Sequence, residues 1–138
     1  MKRRDFLVSA AAMATVPSLA RAGAEWVEYT PGLVKARLAA GETVFVDFGA
    51  AWCTTCRSQE RTINALKSEN AAYEAVTFVH VDWDEYGRGA LAKELNVPRR
   101  STLIVLKGEE ELGRIVAGTR RADIQALMET ALAAATPS

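Results

Sequence analysis

Val46-Asp47-Phe48-Gly49-Ala50-Ala51-Trp52-Cys53-Thr54-Thr55-Cys56 is the stretch that decides the fold. It continues an apolar, β-favouring run that begins at Thr43-Val44-Phe45. Nearly continuous apolar character over that length predicts a strand covered on both faces. Past Gly49 the chain reaches two cysteines separated by two residues, and a helix is predicted from Cys53 to about Lys67, with Ile63 and Leu66 on its inner side. That spacing, on the first turn of a helix, brings the two sulfurs within disulfide reach. The helix start also favours a thiolate, because its free N–H groups and positive dipole end face the first sulfur. Cys53 is therefore the predicted nucleophile. Cys56, one turn in and expected to be the more buried, is the predicted resolving thiol. A Cys-x-x-Cys pair beside a β-α-β pattern reads as a thiol–disulfide redox site. Half a zinc site looks the same, but no second such pair and only one His follow.

Outward from this stretch the chain alternates strands and helices. Glu25 to Tyr29 alternates and predicts a short first strand, and Pro31-Gly32 opens a helix that Gly41 closes. Asn70 to Ala75 reads as a helical turn and Val76 to Val81 as a strand. A polar loop through Asp84 and Gly87 follows, then a helix from Ala90 to Leu95. Thr102 to Leu106 is a buried strand, Lys107-Gly108-Glu109 a turn, and Leu112 to Val116 an edge strand. The last helix carries Ile124, Leu127, Met128, Ala131 and Leu132 on one face, and the tail from Ala133 to Ser138 is expected to fray. The order predicts an α/β domain with a central mixed sheet and helices on both faces.

The beginning of the chain reads as an address. Lys2, Arg3 and Arg4 precede an Ala-rich apolar run from Phe6 to Leu19, and Ala20-Arg21-Ala22 has the form of a cleavage site. The run is too short for a spanning helix, which needs about 20 apolar residues. Arg3-Arg4-Asp5-Phe6-Leu7 is similar to the twin-arginine export motif, and the weak apolar run with Arg21 fits that route better than general secretion. An uncleaved amphipathic anchor is the alternative. The expected domains are thus an export signal over 1–22 and a single domain over 23–138, working in the periplasm. The whole chain balances 17 basic against 17 acidic residues. The signal holds four basic residues and one acidic, so the mature chain carries 13 against 16, a net −3. That balance argues against a nucleic-acid partner or stable membrane association of the mature chain. Two cysteines are too few for a disulfide-dense scaffold.

Val46 to Cys56 resembles the active-site strand and loop of the thioredoxin family, V-D-F-x-A-x-W-C-x-x-C. Asn96-Val97-Pro98-Arg99-Arg100-Ser101-Thr102-Leu103 occupies the place of that family's V-x-x-x-P-T-L segment. The likeness covers about Glu25 to Leu132. Val44 to Glu60 is also similar to the C-terminal domain of bacterial transmembrane disulfide reductases. The resemblance implies a thioredoxin fold and a thiol–disulfide oxidoreductase acting on protein thiols and disulfides, with no cofactor beyond the redox-active disulfide. A membrane reductase would serve as electron donor. It implies Cys53 as attacking thiolate, Cys56 as resolving thiol, and Asp47 as a buried carboxylate beneath Cys56 that manages its proton. Burial of an unpaired Asp raises its pKa into a range useful for base work. Trp52 is expected to pack beside the loop, with Thr54, Thr55, Arg100 and Ser101 on the substrate side. His80, the only histidine, stands where the family often has a Lys facing the carboxylate; it is expected to hydrogen-bond near Asp47 and tune a proton relay, or else to be a satisfied core residue.

Ser101 is the main departure, since the family has a cis-proline there. A cis peptide before Ser would cost about 2.5–4 kcal/mol, so a trans bond and an altered substrate groove are expected. Loss of the ring is also expected to open space above the sulfurs, where a metal ion or iron–sulfur cluster could be captured. Arg99-Arg100 could meet an acidic partner or simply be solvated loop charge. Three functions follow: a periplasmic oxidoreductase, a metal or iron–sulfur module on Cys53 and Cys56, and an interaction protein with a static disulfide. Thr54-Thr55 does not reveal the direction of electron flow. The similarity to the reductase domain favours reduction.

Overall fold

The computed structural model describes residues 25–136. The predicted export signal over 1–22 lies outside them. The elements run β1 (Val27–Glu28), α1 (Leu33–Ala39), β2 (Thr43–Gly49), α2 (Thr54–Glu69), a 3-10 turn (Ala71–Ala75), β3 (Thr77–Asp82), α3 (Trp83–Tyr86), α4 (Ala90–Glu94), β4 (Thr102–Lys107), β5 (Glu110–Val116) and α5 (Arg121–Ala135).

The five strands form one sheet in the order β1-β3-β2-β4-β5. β1, β3 and β2 are parallel, β4 is antiparallel to β2, and β5 is antiparallel to β4. β2 is central and buried along all of its residues, as its apolar run predicts. Its alternation sorts the core into two layers. Phe45 lies on the face covered by α2 and α5, packing with Phe78, Leu103, Ile63, Leu66, Ile124 and Met128. Val44, Val46 and Phe48 lie on the other face, with Val34 of α1 and Leu91 of α4. Asp47 belongs by alternation to the α2/α5 face, and the register sets it beside His80 on one side and Leu103 on the other.

Several boundaries differ from the predicted ones. The stretch read as a polar loop holds the helical turn α3, because the Asp82 side chain accepts from Asp84 N and starts a turn there. β5 begins at Glu110, since the hairpin needs only Gly108-Glu109 between paired Lys107 and Glu110, with Gly108 at φ +59°. The last helix continues to Ala135, past the point where fraying is expected, with Leu132 and Ala135 packed on the core.

Candidate active site

The end of β2 delivers the site. Cys53 is the N-cap of α2, in extended conformation, and its sulfur accepts from Cys56 N at 3.2 Å. That places Cys53 Sγ where a helix start stabilises negative charge. Cys53 and Cys56 are joined in a disulfide with Cα atoms 5.2 Å apart. The expected difference in their burial is absent: Cys53 is 3% and Cys56 4% exposed, both packed with Ala50 and Trp83. Trp83, at the start of α3, is the partly buried ring that packs against this cluster. Thr54 stands exposed at the head of α2 and Thr55 half-buried behind it.

Asp47 lies beneath the pair, almost fully buried, and its Oδ1 has no hydrogen-bond partner. Burial pushes its carboxyl from 3.8 up to about 7; His80 pulls it down and Glu60 pushes it further up. The expected hydrogen bond from His80 is not made toward Asp47. His80 Nδ1 instead meets Glu28 Oε2 at 3.2 Å, because the parallel β1–β3 register sets Glu28 opposite His80. His80 still borders the carboxylate. A Cβ placed on Gly49 would lie 3.3 Å from Asp47 Oδ1, 3.5 Å from Cys56 Cβ and 3.6 Å from His80 Nε2. The missing side chain thus leaves the three residues a common space. That space opens into a cavity of about 330 Å³ lined by Asp47, Gly49, Cys56, Glu60, His80 and Glu28 among others, polar and roomy enough for water.

Trp52 stands beside the loop with its ring 58% exposed. It is nonetheless held in place. Its indole N–H donates to both Asp84 carboxylate oxygens, at 3.0 and 2.9 Å, and the Arg100 guanidinium stacks on the ring at 4.4 Å. Arg99 is exposed and donates from Nε to Arg100 O.

Ser101 is fully buried, and among the described residues no peptide bond is cis, as expected for this position. The predicted open space above the sulfurs is not there. Ser101 Oγ occupies it, 3.3 Å from Cys53 Sγ and 3.1 Å from Cys56 Sγ. The metal or iron–sulfur expectation gains no support. The two sulfurs are joined to each other, and among the described residues no group of three or more His, Cys, Asp or Glu could hold a metal ion. Among these residues no helix is long and apolar enough to cross a membrane.

Four contributors are missing from the sequence reading: Glu28, Glu60, Asp84 and Gln59. Gln59 had a signal. It stands three residues after Cys56 and four before Ile63, a polar residue on the inner stripe of α2. It is fully buried and donates to Ser101 O at 3.0 Å and Gly118 O at 2.9 Å.

The chemistry open to two sulfurs so placed, one on a helix start and the other near a raised carboxyl, is the reversible closing of a disulfide. Fold and site together define a dithiol–disulfide protein built on a mixed βαβ-ββα sheet. The thioredoxin family profile matches residues 27–130, and the chain belongs to that family. It is 35% identical over 80 residues to thioredoxin H2 of Arabidopsis thaliana, covering 58% of this chain and 56% of that one. It is 32% identical over 93 residues to an H-type thioredoxin of Brassica campestris, covering 67% and 71%. The chain therefore spans little more than half the length of the Arabidopsis relative. Among solved structures, Trxlp of Edwardsiella tarda EIB202 superposes with a TM-score of 0.65 at 26% identity, over 75% of this chain and 98% of that one.

Proposed function

We propose that the protein is a thiol–disulfide oxidoreductase that acts on protein disulfides through Cys53 and Cys56. The observation that carries this is Cys53 Sγ capping α2 while Cys56 borders the space shared with the raised Asp47 carboxyl. In the reducing direction, Cys53 thiolate attacks a substrate disulfide, forming a mixed disulfide and expelling one substrate thiolate. Asp47 takes the proton of Cys56 through the space beside Gly49. Cys56 thiolate then attacks Cys53 Sγ, closing the protein disulfide and releasing the second substrate thiolate. A carboxyl near 7 suits this work, since it can hold and return a proton at neutral pH.

The same proposal places the mature domain in the periplasm, with residues 1–22 removed after about Ala22 and a membrane reductase supplying electrons. Support comes from the basic start, the short apolar run, the Ala-x-Ala sequence and the similarity of Val44 to Glu60 to the reductase domain. Trp52 and the Arg100 laid over it form the surface a substrate meets beside Cys53.

Insulin reduction by dithiothreitol tests the activity. The wild-type protein is expected to accelerate it and Cys53→Ser to lose the acceleration. Equal rates for the two proteins would refute the reading.

A further inference from the structure

Ser101 stands closer to the reacting atoms than its place in a turn requires. Its hydroxyl lies within 3.3 Å of both sulfurs, and it is fully shielded from water. Its backbone is clamped from three sides: its N–H donates to Phe48 O at 2.7 Å, and its carbonyl accepts from Ala117 N at 2.8 Å and Gln59 Nε2 at 3.0 Å. Those bonds hold it at φ +65°, a left-handed conformation that disfavours any residue with a Cβ. They fix where the Cβ sits and leave the hydroxyl only the Cα–Cβ torsion and the O–H rotor, and the observed rotamer sets Oγ between the two sulfurs.

We propose that Ser101 is a catalytic residue of the redox cycle, its hydroxyl donating a hydrogen bond to whichever of the two sulfurs carries negative charge. The inference rests on the oxidoreductase reading and deepens it. A disulfide sulfur is a weak acceptor, whereas a thiolate accepts a charge-assisted bond. The same donor therefore contributes more to the reduced form than to the oxidised one. Lying almost midway, it serves Cys53 thiolate during attack and Cys56 thiolate during resolution, moving its proton by rotation alone. No proton is transferred from it.

The experiment equilibrates wild type, Ser101→Ala and Ser101→Gly with dithiothreitol or glutathione redox buffers at a series of pH values. Two thiols of the buffer lose two electrons and two protons and form a disulfide. The Cys53–Cys56 bond takes them up and becomes two thiols, of which the more acidic ionises. Alkylation and mass measurement give the reduced fraction. Loss of the hydroxyl is expected to shift the equilibrium toward the disulfide by about tenfold, about 30 mV for this two-electron couple. The shift should grow with pH above the pKa of Cys53 and close below it, where no thiolate exists.

Among the described residues, Asp47 from β2, His80 from β3, Glu28 from β1, Glu60 from α2, Asp84 from α3 and Arg100 ahead of β4 are charged groups that face the pair or its surroundings, and all are present in each of the three proteins. Glycine relaxes the left-handed backbone and alanine does not, so a purely structural effect would drive the two variants apart. The proposal requires them to move together. Variants with the wild-type potential at every pH, or with a shift independent of pH, would overturn this inference alone, provided that the wild-type disulfide exchanges. A wild-type disulfide that does not exchange at all would bring down both this inference and the oxidoreductase reading.

Discussion

Asp47→Asn removes the carboxyl buried under the redox pair, and its consequences can be worked from the structure. The carboxyl titrates at about 7 in the folded oxidised protein and near 3.8 when the chain is unfolded. An acid with a raised folded pKa binds more protons folded than unfolded between those two values. Stability therefore falls as pH rises through that window and stays low above it. Moving a carboxyl over that interval costs about 4 kcal/mol, at 1.36 kcal/mol for each factor of ten. The unpartnered Oδ1 is the structural reason, since nothing replaces its lost water. Asparagine has nearly the same shape and no charge. The variant should match the wild type below about pH 4 and exceed it by up to about 4 kcal/mol above pH 7, less what the buried amide itself costs. Guanidinium unfolding of the oxidised proteins from pH 4 to pH 9 measures it. The same variant should lose about a hundredfold or more in disulfide reduction, the usual share of a general base. A stability difference that stays constant with pH, or an undiminished rate, would refute the account of Asp47.

Other outcomes test the surroundings. His80→Gln removes the group that pulls the Asp47 pKa down, so the pH profile of the resolving step should move upward; an unmoved profile would leave His80 a structural partner of Glu28 only. Gly49→Ala drives a Cβ to 3.3 Å from Asp47 Oδ1, and should slow resolution while costing about 1–3 kcal/mol of stability, read by mixed-disulfide lifetime and unfolding. Lys67 is buried over the rings of Trp26 and Phe78, and burial brings its pKa down to about 8. The folded chain then sheds this proton before the unfolded one does, so wild-type stability should gain a rising contribution between about pH 8 and pH 10.5. Lys67→Met should lose that contribution in a pH series of unfolding curves.

What could be read from the sequence was whatever depends on local pattern. The apolar run of β2 announces a strand buried on both faces, and the Cys-x-x-Cys spacing announces a helix start beneath it. The inner stripe of α5 is equally plain. What escaped depends on register and turn geometry. Glu28 and His80 are 52 residues apart and meet only because β1 pairs with β3 in that register. Asp84 reaches Trp52 because α3 forms where polar residues suggest a loop. At Ser101 the departure from proline is legible in the sequence, but its effect is not. A lost proline ring suggests vacant space, whereas the left-handed turn aims the hydroxyl into it.

The proposed chemistry sets Cys53 to attack and Cys56 to resolve, a division of labour between the two cysteines. Its most direct test is mass analysis of Cys56→Ser and Cys53→Ser after brief exposure to a protein disulfide. Cys56→Ser is expected to accumulate a mixed disulfide on Cys53, while Cys53→Ser accumulates almost none on Cys56. Equal trapping on both sulfurs, or none on either, would contradict it.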